Sequence, residues 1–313
     1  MDTPPNGVRI YFDPDEKKVE AGDSDTVLAA SLRAGIPHAH ACGGNARCST
    51  CRVSVESGLE HCAPREERER ALAERLHFSP EVRLACQTTV RGDVSVRRLV
   101  LDEEDVELTA RMTAGSAPAS LGEEKEIAIL FADIRGFTSL SERLPPYDVI
   151  YVLNRYFNHM GRVISAHGGY IDNYMGDGLM ALFGVDDPAD APLRAVRAGL
   201  GMIEEVGRLR PHFESLYDAS FRIGVGVHYG EAIVGTVGAT GKRRMTAIGD
   251  AVNFASRVEA ANKEYDTELL VSAETYERVR GRVVAGREIA RAVLKGKAGA
   301  HALYEVLGLS EGG

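Results

Sequence analysis

Four cysteines in the first third of the sequence constrain the fold more than any other feature. Cys42, Cys48 and Cys51 lie within ten consecutive residues, and Cys86 follows after a further 34 intervening residues. Only a loop can aim three thiolates toward one point. Two glycines in this segment permit positive φ, so that backbone amides can approach the sulfur atoms and stabilise negative charge. We therefore expect the first part of the chain to fold around this loop.

Three closely spaced ligands and one distant ligand are the arrangement expected of a [2Fe-2S] cluster. Zinc is the alternative for four cysteines, but zinc sites usually use paired C-x2-4-C knuckles and this chain has one such pair. Cys62 falls outside the spacing and is expected to be an unligated thiol. Five cysteines with four grouped in this way favour metal ligation in a reducing compartment over a disulfide framework.

Length and composition predict two globular domains. The 313 residues suffice for two cores, and 44% hydrophobic with 27% charged residues is ordinary for a folded protein. The net charge of -9 argues against a nucleic-acid or anionic-membrane partner. The first residues lack the basic and apolar regions of a signal peptide, and no stretch approaches the roughly 18 apolar residues that span a bilayer. These features predict a cytoplasmic protein.

The chain divides into two parts that differ in sequence pattern, at residues 6–104 and 123–309. The segment between them is rich in small and polar residues and poor in apolar side chains. This composition predicts a flexible linker, which we place at residues 105–122. The first half is expected to contain a strand at 8–12 and a helix at 26–34. Its charged run at 65–70 is typical of a solvated helix face.

The second half begins with elements in the order β-α-β-β-α-β, which is the split ferredoxin-like pattern. The predicted strands cover residues 126–132, 170–175, 179–183, 221–229 and 231–237, and the predicted helices cover residues 147–166, 189–209 and 250–261. The two strands at 170–175 and 179–183 are expected to form a hairpin.

Asp133 and Asp177 each end an apolar run at a tight glycine turn. A carboxylate at the end of a buried strand costs several kcal/mol to desolvate without a counter-charge, and two such groups repel unless a cation lies between them. Mg²⁺ commonly binds through one or two carboxylates together with substrate phosphates, so the pair indicates phosphoryl or nucleotidyl transfer. The alternative is that each aspartate caps local backbone amides in its turn.

Residues 6–104 resemble a [2Fe-2S] ferredoxin of the C-x5-C-x2-C type. The resemblance includes the segment at 83–88, which carries Cys86 before the last predicted strand. It implies a β-grasp fold in which Cys42, Cys48, Cys51 and Cys86 hold the cluster.

The second half resembles the class III nucleotidyl cyclase catalytic domain over nearly its whole length. The motifs that carry the resemblance lie at 131–138, 175–181 and 248–257. The fold class implied is α+β, a β-grasp ferredoxin domain followed by a ferredoxin-like cyclase domain. By resemblance, Asp133 and Asp177 hold two Mg²⁺ or Mn²⁺ ions, with the Ile134 carbonyl as a further ligand.

The same resemblance assigns the remaining site residues. The turn formed by Gly136, Phe137 and Thr138 lies between a strand and a helix, where free amides suit phosphate oxygens. Asn253 and Arg257 are four residues apart on a predicted helix and share one face. The resemblance implies that Asn253 orients the ribose, that Arg257 stabilises charge on the α-phosphate, and that Lys295 contacts the triphosphate.

In this family the metal aspartates and the Asn/Arg pair act on one nucleotide from opposite subunits, which implies a head-to-tail homodimer. Family members selective for ATP usually have lysine, and those selective for GTP glutamate, at the position of Asn173. Thr246 aligns with the second base-reading position and favours adenine. An asparagine amide can donate to adenine N1 or accept from guanine N1-H, so Asn173 predicts weak base discrimination.

The function expected is an adenylyl cyclase that converts ATP to 3',5'-cyclic AMP and pyrophosphate, with redox regulation through the cluster and an electron donor as partner. A guanylyl or dual-specificity cyclase is the first alternative. The second is an electron-transfer ferredoxin whose cyclase-like half is inactive and serves for dimerisation. The presence together of Asp133, Asp177, Asn253 and Arg257 argues against that second alternative.

Overall fold

The chain forms two compact units that divide between Gly122 and Glu123. The computed structural model describes residues 8–13, 15–22, 24–99, 122–217, 220–239, 242–294, 296–297 and 299–310. The linker predicted at 105–122 lies outside the described residues except for Gly122, which begins a strand. Each unit has its own hydrophobic core, and we describe each by itself.

The first unit is a five-stranded sheet with two helices. Its elements are β1 (Val8–Asp13), β2 (Lys17–Ala21), α1 (Val27–Arg33), β3 (Arg52–Ser57), a 3-10 turn (Leu59–His61), α2 (Glu67–Arg75), β4 (Val82–Leu84) and β5 (Val94–Arg98). The strand order is β2-β1-β5-β3-β4, with β1 and β5 parallel and the other neighbours antiparallel. This is the β-grasp arrangement expected from the sequence.

The helix α1 forms where the sequence predicts it and packs onto this sheet. Thr26 is its N-cap, and the Thr26 hydroxyl accepts from the Ala29 amide at 3.1 Å. Such a cap stabilises a helix by about 1 kcal/mol. The helix buries Val27 and Leu28 in the same core as Ile10 of β1, and Gly35 with a φ of 66° follows its end. The cysteine loop therefore starts from a fixed point.

The second unit is an eight-stranded sheet with helices on both faces. Its elements are β6 (Gly122–Ile134), α3 (Phe137–Arg143), α4 (Pro146–Ala166), β7 (Tyr170–Met175), β8 (Gly178–Phe183), α5 (Ala191–Tyr217), β9 (Ile223–Val237), β10 (Arg244–Ile248), α6 (Asp250–Tyr265), β11 (Leu269–Ser272), α7 (Ala273–Val279), β12 (Val283–Ala292) and β13 (His301–Leu309). The strand order is β12-β13-β11-β9-β6-β8-β7, and β10 pairs with β9.

The central strand β6 is buried on both faces, which explains its continuous apolar run. Ala128 and Leu130 face the core that also contains α4 and α5, while Ile127 and Ile129 face the core beneath α6. The helix α4 begins at Pro146 and buries one side chain every four residues on its inner face. The two faces together hold the end of β6 rigidly at Asp133.

The region predicted as two strands at 221–229 and 231–237 is one continuous strand, β9. The sequence suggested a turn at Gly230, but this glycine serves packing instead. A Cβ at Gly230 would lie only 2.9 Å from the Nε2 of His228 and 3.3 Å from the Ala251 Cβ. The strands after α6, which complete the sheet on the far side of β9, were not part of the sequence-based expectation.

Candidate cluster site and active site

The cysteine loop lies between α1 and β3, and Cys86 follows β4. Cys51 and Cys86 are buried, while Cys42 and Cys48 are half-buried. Gly43 with a φ of 69°, Gly44 with a φ of 86° and Ala46 with a φ of 54° turn the loop. These left-handed conformations fold the segment back on itself, so that it surrounds its own sulfur atoms.

The Cys42 and Cys48 side chains form one hydrogen-bonded pair. The Cys48 thiol and the backbone amides of Arg47 and Asn45 lower the pKa of Cys42 to about 4. The same shared proton, together with burial, raises the pKa of Cys48, whose sulfur also lies 3.2 Å from the Thr50 hydroxyl. Amides that stabilise sulfur charge in this way suit a thiolate ligand.

The Cys51 and Cys86 side chains form the second pair. The Cys51 thiol lowers the pKa of Cys86 to about 7, assisted by the Gln87 amide, whose Nε2 lies 3.5 Å from the sulfur. The Cys86 partner and burial raise the pKa of Cys51. Three sulfurs on the loop and the sulfur of Cys86 therefore form two close pairs with donors around them. This donor set fits an iron-sulfur cluster.

The charged run at 65–70 contains a residue that the sequence did not identify as structural. Glu69 on α2 has no exposed surface and accepts from Arg83 through both carboxylate oxygens at 2.9 Å. It also accepts from the Leu84 amide at 2.8 Å. The expectation of a wholly solvated face is therefore wrong at Glu69, which fixes β4 just before Cys86.

Cys62 is half-buried at an isolated β-bridge with Val90. Burial raises the pKa of its thiol, and its Sγ donates to the Gly58 carbonyl at 3.9 Å. This setting is that of an ordinary protonated thiol.

In the second unit, the structure brings Asp133 and Asp177 together. Antiparallel pairing of β6 with β8 aligns Ala132 with Leu179, and it places the end of β6 beside the β7–β8 turn. Gly176, with a φ of 65°, occupies the first central position of that two-residue turn, which is the glycine position of a type II' hairpin. Asp177 occupies the second.

The two carboxyl groups lie within hydrogen-bonding reach of each other. Burial, followed by the neighbouring Asp133, raises the pKa of Asp177 to about 6, although the Ile134 amide also donates to it. A Cβ on Gly178 would lie 3.3 Å from Asp133 Oδ1, so the glycine leaves room for the pair. A carboxyl group whose pKa is raised by burial and by a second carboxyl group indicates a site that a divalent cation would relieve.

A fully buried tyrosine lies beneath this pair. Tyr156 on α4 has no exposed surface, and its hydroxyl has no hydrogen-bond partner among the residues that the structure describes. Burial raises its pKa, and the carboxyl groups of Asp133, Asp177 and Glu259 raise it further. Sequence reasoning missed this residue, because an apolar helix face does not distinguish a packing tyrosine from one under an active site.

Arg135 and Glu259 form a partly buried ion pair behind the turn, with 3.7 Å between Nη2 and Oε1. Burial raises the pKa of Glu259 to about 7 in spite of the arginine. A side chain at Gly224 would overlap the Arg135 guanidinium, and one at Gly226 would overlap the Glu259 backbone. These two glycines let α6 and the turn after β6 approach β9 closely.

The predicted phosphate turn has the expected strand–turn–helix form. Gly136 adopts the left-handed conformation with a φ of 71°, and α3 begins at Phe137. The Phe137 side chain is buried in the core, so only its backbone amide is available to a ligand, whereas Gly136 and Thr138 are exposed.

Asn253 and Arg257 are both exposed on α6, on the face opposite its buried residues. Glu259, two residues after Arg257 on the same helix, pairs with Arg135. In the described ranges, Arg257 forms no ion pair, and no hydrogen bond or ion pair joins this face to Asp133 or Asp177. One copy of the chain therefore presents the two groups of side chains separately.

The two predicted base-reading residues lie on β7 and β10. Asn173 is half-buried, and Thr246 is 8% exposed, with its hydroxyl donating to Asp172 Oδ2 at 3.0 Å. Asp172 is a further residue that the sequence analysis did not single out. Lys295, the predicted triphosphate contact, lies outside the described residues.

Comparison with known proteins agrees with this division into two units. Residues 120–307 match the adenylate and guanylate cyclase catalytic domain family. The chain belongs to that family. Residues 10–91 match the 2Fe-2S iron-sulfur cluster binding domain, so the first unit is a cluster-binding domain and the second a cyclase domain. The fold class expected from the sequence is confirmed.

Several relatives and structural neighbours are cyclases. Adenylate cyclase of Anabaena cylindrica is 37% identical over 187 residues, which cover 58% of this chain and 37% of that protein. The chain thus spans little more than a third of the length of this relative. The crystal structure of the guanylyl cyclase Cya2 is 35% identical with a TM-score of 0.57 and covers 61% of this chain and 95% of its own. The crystal structure of the adenylyl cyclase CyaB from P. aeruginosa is 32% identical with a TM-score of 0.55, and it covers 59% of this chain and 95% of its own.

Among the helices of the described chain, none has the length and apolar character needed to span a bilayer.

Proposed function

We propose that this cyclase is an adenylyl cyclase, which converts ATP to 3',5'-cyclic AMP and pyrophosphate. The observation that carries the proposal is the pairing of Asp133 with Asp177 at the end of β6, where burial and mutual proximity raise the pKa of Asp177 to about 6. Such a pair stabilises bound cations and has no other evident purpose at this position.

Asp133, Asp177 and the Ile134 carbonyl would hold two Mg²⁺ or Mn²⁺ ions. These ions supply charge neutralisation for the triphosphate and a lower pKa for the ribose 3'-hydroxyl. The exposed amides at Gly136 and Thr138 would orient phosphate oxygens. Arg257 would stabilise charge on the α-phosphate with its permanently charged, forked guanidinium.

Asn253 would orient the ribose next to Arg257, and Lys295 would contact the triphosphate. Each copy of the chain carries one set of metal-binding aspartates and one Asn/Arg pair, and no hydrogen bond or ion pair joins the two sets within the described residues of a copy. We therefore propose a homodimer with two sites, each combining residues from both subunits. Exposed apolar residues on neighbouring elements support an interface between copies: Tyr174, Met175, Ile233, Val237 and Ile248.

ATP is favoured as the substrate by Thr246 and by the adenylate cyclase relatives. GTP is the second candidate, because Asn173 lacks the charge that selects either base and because the guanylyl cyclase Cya2 is 35% identical. Replacing Asn173 by Lys should raise the preference for ATP over GTP by about tenfold, since a fixed donor replaces a reversible amide.

The first unit would carry a [2Fe-2S] cluster on Cys42, Cys48, Cys51 and Cys86 and would couple its redox state to the cyclase. Cyclisation of a nucleotide transfers no electrons, so the cluster has a regulatory rather than a chemical role, and an electron donor in the cytoplasm is implied. Equal cyclase rates with the cluster oxidised, reduced and removed would argue against this coupling.

The decisive assay incubates the purified full-length chain, cluster loaded, with Mn²⁺ and either ATP or GTP. The products are identified by chromatography and mass spectrometry, and Asp133→Ala is the control. We expect cyclic AMP and pyrophosphate, with no cyclic product from the control. Cyclic GMP as the main product would support the guanylyl candidate, and no cyclic product from either nucleotide would contradict both.

A further inference from the structure

A buried hydrogen bond lies directly behind the two proposed base-reading positions. Thr246 Oγ1 on β10 donates to Asp172 Oδ2 on β7 at 3.0 Å. Asp172 is 7% exposed and Thr246 is 8% exposed, so solvent does not compete for this bond. Asp172 immediately precedes Asn173, the other proposed base-reading residue. One carboxylate is therefore adjacent to both.

The backbone is irregular at this point. Ile171 pairs with Ala181 and Asn173 pairs with Met180, so two steps along β7 match one step along β8 and Asp172 is the extra residue of a β-bulge. A bulge interrupts the alternation of side chains along a strand and can re-aim one of them, commonly next to an active site. Here the bulge accompanies an inward-facing Asp172 next to a half-buried Asn173.

The carboxylate has no other hydrogen-bonded partner in the described residues, where its Oδ1 is buried and accepts from no donor. Burial raises the pKa of Asp172, whereas the Thr246 hydroxyl and the charge of Arg244 favour the ionised form. An ionised carboxylate is an acceptor only. The Thr246 hydroxyl must therefore direct its single proton at Asp172.

We infer that Asp172 is a positioning residue that fixes Thr246 as a hydrogen-bond acceptor toward the base and thereby selects adenine over guanine. A threonine hydroxyl has one proton and two lone pairs, so once the proton is committed it offers only lone pairs. The adenine 6-amino group donates to such an oxygen. Guanine carries a carbonyl at the same position, and its oxygen would face another acceptor.

This inference rests on the proposed function and deepens it. It also resolves the ambivalence of Asn173, whose amide can turn to suit either purine. With one base-reading residue free to turn and the other fixed, base preference depends on the fixed one. Guanine is rejected because its carbonyl oxygen would face the Thr246 oxygen with no proton between the two acceptors. Sites built around a specific hydrogen bond reject an analogue in this way.

The test measures kcat/KM for ATP and for GTP at pH 8 with Mn²⁺, using the full-length chain with its cluster. The variants are Asp172→Asn, Thr246→Val, the double variant and Thr246→Ser. Asp186→Asn makes the same chemical change at an exposed aspartate and is the matched control. Thermal unfolding of each variant reports whether it folds.

We expect Asp172→Asn to lower the ATP-to-GTP ratio of kcat/KM by about tenfold, because an asparagine can donate to Thr246 and release its proton toward guanine. Thr246→Val should lower the ratio comparably, and the double variant should lower it no further. Thr246→Ser and Asp186→Asn should keep the wild-type ratio.

Equal losses for ATP and GTP in Asp172→Asn, or additive effects in the double variant, would show a merely structural aspartate and overturn the inference. An unchanged ratio in Thr246→Val would overturn it even if Asp172→Asn did not fold. A wild-type preference for GTP would contradict both the inference and the choice of ATP as the substrate, whereas either result above in a wild type that prefers ATP would contradict the inference alone. A wild-type chain that forms no cyclic nucleotide would instead contradict the proposed function and, with it, the inference.

Discussion

The two units build their sites in opposite ways. In the first unit, three of the four proposed ligands lie between Cys42 and Cys51, and the loop that carries them also supplies amide donors. In the second unit, the proposed site residues are spread along the chain from Asp133 to Lys295. The first proposed site is contained in one loop and one strand end, whereas the second proposed site draws on two groups of side chains that no hydrogen bond or ion pair joins within the described residues of one copy.

The two sites also differ in how their surroundings affect the charge of the proposed ligands. The Cys48 thiol, followed by backbone amides, lowers the pKa of Cys42, so its surroundings already stabilise negative charge. Asp133 and burial raise the pKa of Asp177, so those surroundings oppose negative charge until a cation arrives. Two of the four cysteines, Cys42 and Cys86, thus lie beside groups that favour the thiolate, whereas burial and a like charge oppose ionisation of Asp177.

The largest expected effect is on the cation-dependent site. Asp177→Asn should lower the cyclase rate roughly a thousandfold, since losing several kcal/mol of charge stabilisation corresponds to about three powers of ten. The amide keeps the shape of the side chain but weakens cation binding. Rates are measured by cyclic nucleotide formation, and the visible absorption of the cluster should not change. A rate within tenfold of wild type would contradict the assignment of Asp177.

The second prediction concerns the cysteine site of the first unit. Cys51→Ser should lose iron and the visible absorption of the cluster and should lower the melting temperature of the first unit, because a buried ligand is removed. The change in cyclase rate should be far smaller than in Asp177→Asn. Cys62→Ser is the matched control and should keep its iron. Iron retained in the Cys51 variant, or lost in the Cys62 variant, would show that the ligand set is wrong.

A smaller effect is expected from Glu259, whose pKa burial raises from 4.5 to about 7. The folded state then binds a proton more tightly than the unfolded state, so stability from this group is present below pH 4.5 and is lost as the pH rises to about 7. Relative to Glu259→Gln, the wild-type unfolding free energy should fall by at most about 1.4 kcal/mol per pH unit in that window.

The measurement is chemical unfolding in the presence of EDTA at several pH values, monitored by tyrosine fluorescence because the chain contains no tryptophan. Parallel pH profiles for wild type and Glu259→Gln would mean that Glu259 titrates in the folded state as it does in water. An unfolding free energy that rises with pH relative to Glu259→Gln would show that the folded state stabilises the ionised carboxylate of Glu259.

The sequence predicted the features that depend on local spacing. The cysteine spacing, the glycine turn before Asp177 and the proline start of α4 each determine structure within a few residues, and the structure has these elements where expected. Gly230 shows the limit of local reasoning. A glycine in an apolar run suggests a turn, yet Gly230 lies inside a continuous strand. His228 and Ala251 leave no room for a side chain there.

The features that the sequence did not predict depend on contacts between distant residues. Glu69 lies in a charged run but is buried by Arg83, and Asp172 is distinguished only by Thr246, which lies 74 residues later. The Tyr156 hydroxyl is unusual because it is buried without a hydrogen-bond partner among the described residues and lies near several carboxyl groups. A pattern of residue types does not contain such partners, since charge and burial are set by tertiary packing.

The most direct test of the account is complementation between two inactive variants. Asp133→Ala and Arg257→Ala are each expected to be inactive alone, because every site in such a dimer lacks one group. After mixing and subunit exchange, half of the dimers are mixed and each has one intact site, so activity should recover to about a quarter of wild type. A mixture that remains inactive, although size analysis shows that mixed dimers have formed, would contradict a site shared between subunits.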